Sequence, residues 1–171
     1  MTSSQIVKVA NSYLHQEEKA GNRGWKDPSF EAKMKAVGWK PTDAWCCYFA
    51  ELVAKEAFGP GPTWDALDKL FSPNCQATYA NFSQSKMFKV GKVAKPGALA
   101  VWRMGKTYKG HIGIVETVKI DAAAGVRVFT CIEGNTNAAG SREGTHVLRK
   151  NRRVVWTNGA GLNLTGFIYL V

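Results

Sequence analysis

The sequence lacks any apolar run that approaches the roughly 18 residues of a membrane-spanning helix. Its first 24 residues also lack the basic start, the apolar stretch and the small-residue cleavage site of a secretory signal peptide. We therefore expect synthesis in the cytoplasm without a leader. A protein of this kind that acts outside the cytoplasm needs another route of release or delivery.

Cysteine and histidine are scarce, with four cysteines and three histidines in 171 residues. A disulfide framework is not expected in a chain made in a reducing compartment. Cys46 and Cys47 are adjacent, and no cysteine or histidine stands at C-x₂-C or H-x₃-H spacing from them, so a zinc site is not expected either. The sequence has no Asp-rich calcium loop, and we expect no metal and no cofactor.

Acidic residues are few, with 13 Asp and Glu against 23 Lys and Arg and a net charge of +10. Such a balance favours polyanionic partners, namely nucleic acid, an anionic membrane or an acidic cell-wall polymer. The densest basic clusters are 103–109 and 149–153. Hydrophobic residues make up 45% of the chain, which is ordinary for a globular protein, and we expect one domain over residues 1–171.

The hydrophobic period changes along the chain from helical to strand-like after Pro96. Helices are predicted over residues 5–20, with a Thr2–Gln5 capping box, and over 30–37, 45–58, 63–70 and 72–83, the third capped by Thr42 or Asp43. Strands are predicted at "ALAVWRM", "HIGIVETVKI", "VRVFTCIEG", "HVLRK", "RVVWT" and "LTGFIYLV". Helices first and antiparallel strands after predict an α+β domain, with N-terminal helices packed on a C-terminal antiparallel sheet.

The stretch "DAWCCYFA", residues 43–50, places two thiols at the start of the third predicted helix. A cysteine in a first helical turn is near the positive end of the helix dipole, which favours the thiolate. Free backbone N–H groups there could also stabilise an oxyanion beside the sulfur. The periodicity does not choose between Cys46 and Cys47, and a buried structural pair remains an alternative.

A nucleophilic thiol needs a base, and His111 is the best placed of the three histidines. His15 is expected at the helix surface and His146 in a basic strand, whereas His111 follows a glycine at the start of an alternating strand. Glu133 stands where the next strand reaches "EGN", with Asn135 two residues further on. A suitable hairpin register would bring His111 and Glu133 side by side, although "EGN" also has the composition of a turn.

The order of four motifs resembles that of the CHAP domains, which are cysteine, histidine-dependent amidohydrolases and peptidases of papain-like fold. The motifs are "WCCYF" at 45–49, "PGALAVW" at 96–102, "GHIGIV" at 110–115 and "EGN" at 133–135. The sequence departs from the family pattern at three positions, with Cys47 in an alanine slot, Ala98 in place of an acid and Gly113 in an apolar slot. By this resemblance Cys46 is the nucleophile, Cys47 a small core residue and His111 the general base. The resemblance also makes Glu133 the orienting group and Asn135 a further polar residue that could help to bind the oxyanion.

The resemblance implies a hydrolase that cuts an amide bond of peptidoglycan through a cysteine thioester and lyses bacterial cells. The bond would be the muramoyl–L-alanine amide or one within the stem peptides and cross-links. A single-domain phage endolysin, released through a holin pore, and a type VI effector, paired with an immunity protein, share this biochemistry. We expect a monomer that acts at the cell wall and meets an anionic envelope surface.

The alternative is a non-enzymatic basic module in which lysines, arginines and exposed aromatics bind nucleic acid or cell-wall glycan. A carboxylate beside His111 argues against it, because a nucleic-acid binder has no need of a negative charge there. We therefore expect no nucleic-acid partner.

Overall fold

The computed structural model describes residues 1–123, 125–137 and 144–171 and has a layer of helices packed on one antiparallel sheet. This confirms the predicted α+β class. Glu143, in the loop "SREGT", lies outside the described residues. Within the described ranges, no helix is long and apolar enough to cross a membrane.

The five described helices precede the sheet in the chain. They are α1 (Ser3–Ser12), α2 (Pro28–Lys35), α3 (Cys46–Phe58), α4 (Pro62–Asp68) and α5 (Cys75–Gln84). The Thr2–Gln5 capping box of α1 is present, as predicted. The extension of this helix to residue 20 is wrong, because His15 has a φ of +71° and its backbone N–H donates to Val147 O at 2.9 Å. The segment after α1 thus pairs with a strand near the C-terminus.

The sheet contains six strands in the order β1-β6-β2-β3-β4-β5, all antiparallel. They are β1 (Lys89–Gly91), β2 (Leu99–Met104), β3 (Gly110–Asp121), β4 (Val126–Thr136), β5 (His146–Arg153) and β6 (Leu162–Tyr169). Short β1 was not predicted. The two strands expected at "HVLRK" and "RVVWT" are instead one strand that ends at Arg153.

Two hydrophobic clusters occupy the two faces of the sheet. The larger one lies between the helices and residues such as Ile112, Ile114 and Ile132, all fully buried. The smaller one contains Trp102 and Phe129, whose rings stack at a centroid distance of 6.2 Å. The sheet is therefore apolar on both sides, and its side chains can be held firmly near the site described below.

Aromatic rings fix the start of α3. The Trp45 ring lies edge-on to Trp25, at 5.3 Å between centroids, and to Phe49, at 6.4 Å. Its Nε1–H donates to the buried Glu18 carboxylate at 2.7 Å. These contacts satisfy both the apolar body and the polar atom of the indole, so the first turn of α3 has a defined position.

Gly134 lets β4 approach this start of α3. A Cβ atom there would lie 2.6 Å from Cζ3 of Trp45 and 2.8 Å from Cβ of Phe49. We expect Gly134→Ala to lower the free energy of unfolding by about 1–3 kcal/mol, the usual cost of overpacking. Gly159→Ala is the control, because its added Cβ would meet nothing within 4 Å. Urea unfolding measures both, and equal stability of the two variants would show that α3 moves freely away from β4.

Candidate active site

Cys46 is the first residue of α3, and Trp45 is its N-cap. The predicted cap at Thr42 or Asp43 is wrong, since Asp43 instead accepts a hydrogen bond from the Tyr48 hydroxyl at 3.0 Å. No side chain in the described ranges caps this helix start. The free N–H groups of the first turn therefore remain available to stabilise negative charge beside the Cys46 sulfur.

The surroundings of Cys46 favour its thiolate. Hydrogen bonds from the thiols of Cys47 and Cys75 lower the pKa of Cys46 well below its usual value, and His111 lowers it further, against the opposing effect of burial. The pKa values of Cys47 and Cys75 are both raised. These directions favour the thiolate at Cys46 over one at Cys47 or Cys75.

His111 and Glu133 are in direct contact. Nε2 of His111 lies 2.9 Å from Oε2 of Glu133, and the two side chains are 2% and 0% exposed. Strands β3 and β4 pair Ile114 with Ile132, so the next positions along the hairpin are Gly113 and Glu133. A Cβ at Gly113 would lie 2.6 Å from Cγ of Glu133. The glycine in the apolar slot of the motif therefore leaves room for the carboxylate.

Arg152, on β5, holds the other side of the Glu133 carboxylate and is a site residue that was not predicted from the sequence. Its Nε and a terminal nitrogen donate to the two carboxylate oxygens at 2.7 and 2.6 Å. The guanidinium also lies over the Trp102 ring, 5.1 Å from the centroid. In the sequence Arg152 is one of several basic residues, and only the pairing of strands distinguishes it.

The charges of these groups alternate. The pKa of Glu133 is lowered despite burial, because His111 and Arg152 both favour the carboxylate. Burial by itself would lower the pKa of His111, but Cys46 and Glu133 outweigh it and raise it to about 9. Since an ionised carboxylate only accepts, Nε2 of His111 carries a proton, and Nδ1 is left without a hydrogen-bond partner in the described part of the chain. These shifts favour a thiolate at Cys46 beside an imidazolium at His111.

The remaining sequence candidates have other positions. Asn135 is buried with a φ of +54°, and neither of its amide atoms has a hydrogen-bond partner among the described residues. His146 lies near Glu17, at 3.9 Å between Nε2 and Oε2, and its Nδ1 forms a hydrogen bond with the Thr145 hydroxyl.

A surface cavity of about 430 Å³ lies away from the candidate nucleophile. It is lined by Arg152 and seven other residues of β3, β4 and β5 and does not include Cys46 or His111.

Comparison with known proteins identifies the family to which the chain belongs. The family model described as CHAP domain matches residues 36–135, more than half of the chain. The chain belongs to the CHAP domain family. Searches of curated proteins and of solved structures gave no match. CHAP domains are typically cysteine/histidine amidohydrolases and peptidases that act on peptidoglycan, and the matched CHAP segment contains Cys46, His111, Glu133 and Asn135 but not Arg152.

Arg152 can be tested by its effect on the buried carboxylate. We expect Arg152→Gln to lower the free energy of unfolding by about 3 kcal/mol, the low end for breaking a buried ion pair, because His111 still neutralises Glu133. Arg153→Gln is the matched control, since Arg153 is 64% exposed and its nearest contact to Asp121 is 3.7 Å. Chemical unfolding at pH 7 compares the two, and similar losses would show that Arg152 is an ordinary surface arginine.

Proposed function

We propose that this protein hydrolyses an amide bond of peptidoglycan through a thioester on Cys46. The observation that supports this most is the hydrogen-bonded series Arg152–Glu133–His111, with Cys46 near enough to His111 for each to shift the pKa of the other. A purely binding module gains nothing from a buried histidine–carboxylate pair, which costs desolvation energy. The CHAP family membership supports the substrate class.

In the proposed reaction the Cys46 thiolate attacks the amide carbonyl, and the free N–H groups at the start of α3 stabilise the oxyanion. The His111 imidazolium gives its Nδ1 proton to the leaving amine, since Nε2 is held by Glu133. Neutral His111 then takes a proton from water, which attacks the thioester carbonyl. The C–S bond breaks, which releases the acid and restores the Cys46 thiolate beside the His111 imidazolium. Glu133 keeps the ring orientation and tautomer throughout.

Asn135 is proposed as a further polar residue of the site rather than as the group that orients His111. Its buried and unpaired amide is available to a bound substrate or oxyanion, and Glu133 already occupies Nε2 of the ring. We place the enzyme at the bacterial cell wall as a lytic protein. In either setting, as an endolysin released by a holin or as an effector with an immunity protein, its net charge of +10 favours an anionic envelope surface.

The direct test is incubation with purified peptidoglycan and identification of released fragments by mass. A free lactyl-muramoyl end would indicate an amidase, and new peptide termini would indicate an endopeptidase.

We expect the Cys46→Ala variant to release no fragments. The Cys131→Ala variant is the control and should remain active, because Cys131 is a buried free thiol outside the proposed site. Iodoacetamide should label Cys46 first, and a chelator should not reduce activity. Fragment release by Cys46→Ala at the wild-type rate would exclude this mechanism.

Glu133→Gln keeps the size of the side chain and removes its charge. We expect a loss of about 10- to 1000-fold in kcat/KM, as for other groups that assist general acid–base catalysis. Because Glu133 helps to raise the pKa of His111 to about 9, the alkaline limb of the pH profile should also move to lower pH.

The raised pKa of His111 also makes the stability of the wild-type fold depend on pH. Its contribution to the free energy of unfolding is fully present at pH values below the pKa of an unfolded histidine, about 6.5. That contribution is lost as the pH rises through about 9.

Glu116→Gln is the matched control for Glu133→Gln. Glu116 is likewise held by an arginine of β5, Arg149, with Nε to Oε2 at 2.6 Å, but it contacts no histidine in the described structure. We expect this variant to keep the wild-type rate and pH profile in turbidity assays of wall suspensions, with folding checked by circular dichroism. If both variants are equally active, Glu133 has no role in orienting His111.

A further inference from the structure

Three cysteine sulfurs meet at the proposed nucleophile. Sγ of Cys75 lies 2.9 Å from Sγ of Cys47 and 3.6 Å from Sγ of Cys46, and all three sulfurs are within 4.8 Å of one another. The three side chains are at most 5% exposed and are all free thiols. We call Cys46, Cys47 and Cys75 the thiol cluster. Cys75 is 28 residues from Cys47 in the chain, so the sequence spacing gave no sign of it.

The fold holds Cys75 in place at the first residue of α5. Asn74 caps this helix and donates from Nδ2 to Tyr108 O at 3.2 Å, while Gln76 donates from Nε2 to Trp102 O at 2.9 Å. Gly110 makes room, because a Cβ there would lie 2.9 Å from Nε2 of Gln76 and 3.3 Å from Cβ of Cys75. The thiol cluster is therefore a site built by two helix starts and the β2–β3 connection.

The dimensions of the thiol cluster suit a soft cation. Three sulfurs bound to a tetrahedral Zn²⁺ at about 2.3 Å would be about 3.8 Å from one another. The distances of 2.9 and 3.6 Å are both shorter than that value, so the sulfurs would move slightly apart by side-chain rotation as the ion binds. Thiolate ligands bind zinc and copper(I) in preference to harder ions such as calcium and magnesium.

A second observation points to a ligand at the same place. Nδ1 of His111 is buried and without a hydrogen-bond partner among the described residues, and His111 interacts with Cys46. Two helix N-termini point their positive ends at the thiol cluster, which favours thiolates, yet the three thiols are too close to ionise together without a cation. A divalent cation would remove that repulsion, with release of protons to solvent.

We propose that Cys46, Cys47 and Cys75 bind a thiophilic cation of the zinc class, and that the bound ion blocks the nucleophile. Binding of the ion follows from the thiol cluster alone, whereas the inhibition rests on the proposed function. In the bound state the Cys46 sulfur donates its electron pair to the metal and is no longer free to attack a carbonyl. Hydrolysis itself needs no metal, so the site would be regulatory.

The test is a titration of the reduced full chain with Cd²⁺, a spectroscopic substitute for Zn²⁺ whose thiolate complexes absorb in the ultraviolet by charge transfer. We expect a band that saturates at one equivalent and that Zn²⁺ displaces. Cys75→Ala should weaken binding by more than about 100-fold, because loss of even a supporting contact costs about 10- to 100-fold in metal affinity. Cys131→Ala, which leaves the thiol cluster intact, should bind like the wild type and keep the wild-type activity.

Two results would overturn the site: no charge-transfer band with the reduced wild type, or an unchanged band in Cys75→Ala. Should Cys75→Ala fail to fold, as judged by circular dichroism, Cys47→Ala takes its place with the same expectation. A separate measurement of peptidoglycan hydrolysis should show inhibition by Zn²⁺ and recovery with a chelator. If the protein binds Cd²⁺ but cuts no peptidoglycan at all, the proposed function fails while the metal site stands.

Discussion

The neutralisation of one buried carboxylate, that of Glu133, is the interaction on which the site depends. Its side chain is 0% exposed, and a buried charge without partners would be too costly to keep. Arg152 supplies a permanent positive charge from β5, and His111 supplies a second donor from β3. The three residues lie on three adjacent strands, so the carboxylate is satisfied only in the correct register. The same requirement that stabilises this part of the sheet therefore also orients the imidazole.

From Arg152 the favoured charges alternate along four groups, positive, negative, positive and negative, and the last of them is the Cys46 sulfur at the start of α3. Each group favours the charged form of its neighbour, which explains why the pKa of His111 rises to about 9 in spite of complete burial. Because Glu133 holds Nε2, only Nδ1 can exchange a proton with the sulfur or a leaving group. In the proposed mechanism one ring nitrogen therefore anchors the imidazole while the other exchanges the proton, as general acid–base catalysis requires.

Local pattern in the sequence was enough to predict the α+β class and to mark the Cys46–Cys47 pair, His111 and Glu133 as candidates at a helix start, a strand start and a strand end. The choice of Cys46 over Cys47 came from the resemblance to the CHAP domains. Local pattern did not reveal Arg152, whose role arises from the pairing of β5 with β4, nor Cys75, which the packing of α5 brings to the other cysteines. Boundaries failed for a similar reason. The first helical pattern continues past Ser12, but pairing with β5 takes over the backbone hydrogen bonds there, and tertiary contacts override propensity.

The two thiols beside Cys46 favour its thiolate, but a nucleophile does not require two thiol neighbours. The thiolate fraction of a nucleophile is complete once its pKa is well below the ambient pH, and a further decrease lowers the intrinsic reactivity of the sulfur. The hydrogen bonds from Cys47 and Cys75 are the largest causes of the lowered pKa of Cys46, ahead of His111. Three sulfurs within 4.8 Å of one another are more than a single nucleophile needs, and they form the ligand set of the proposed cation site. For that reason we assign the thiol cluster a role of its own.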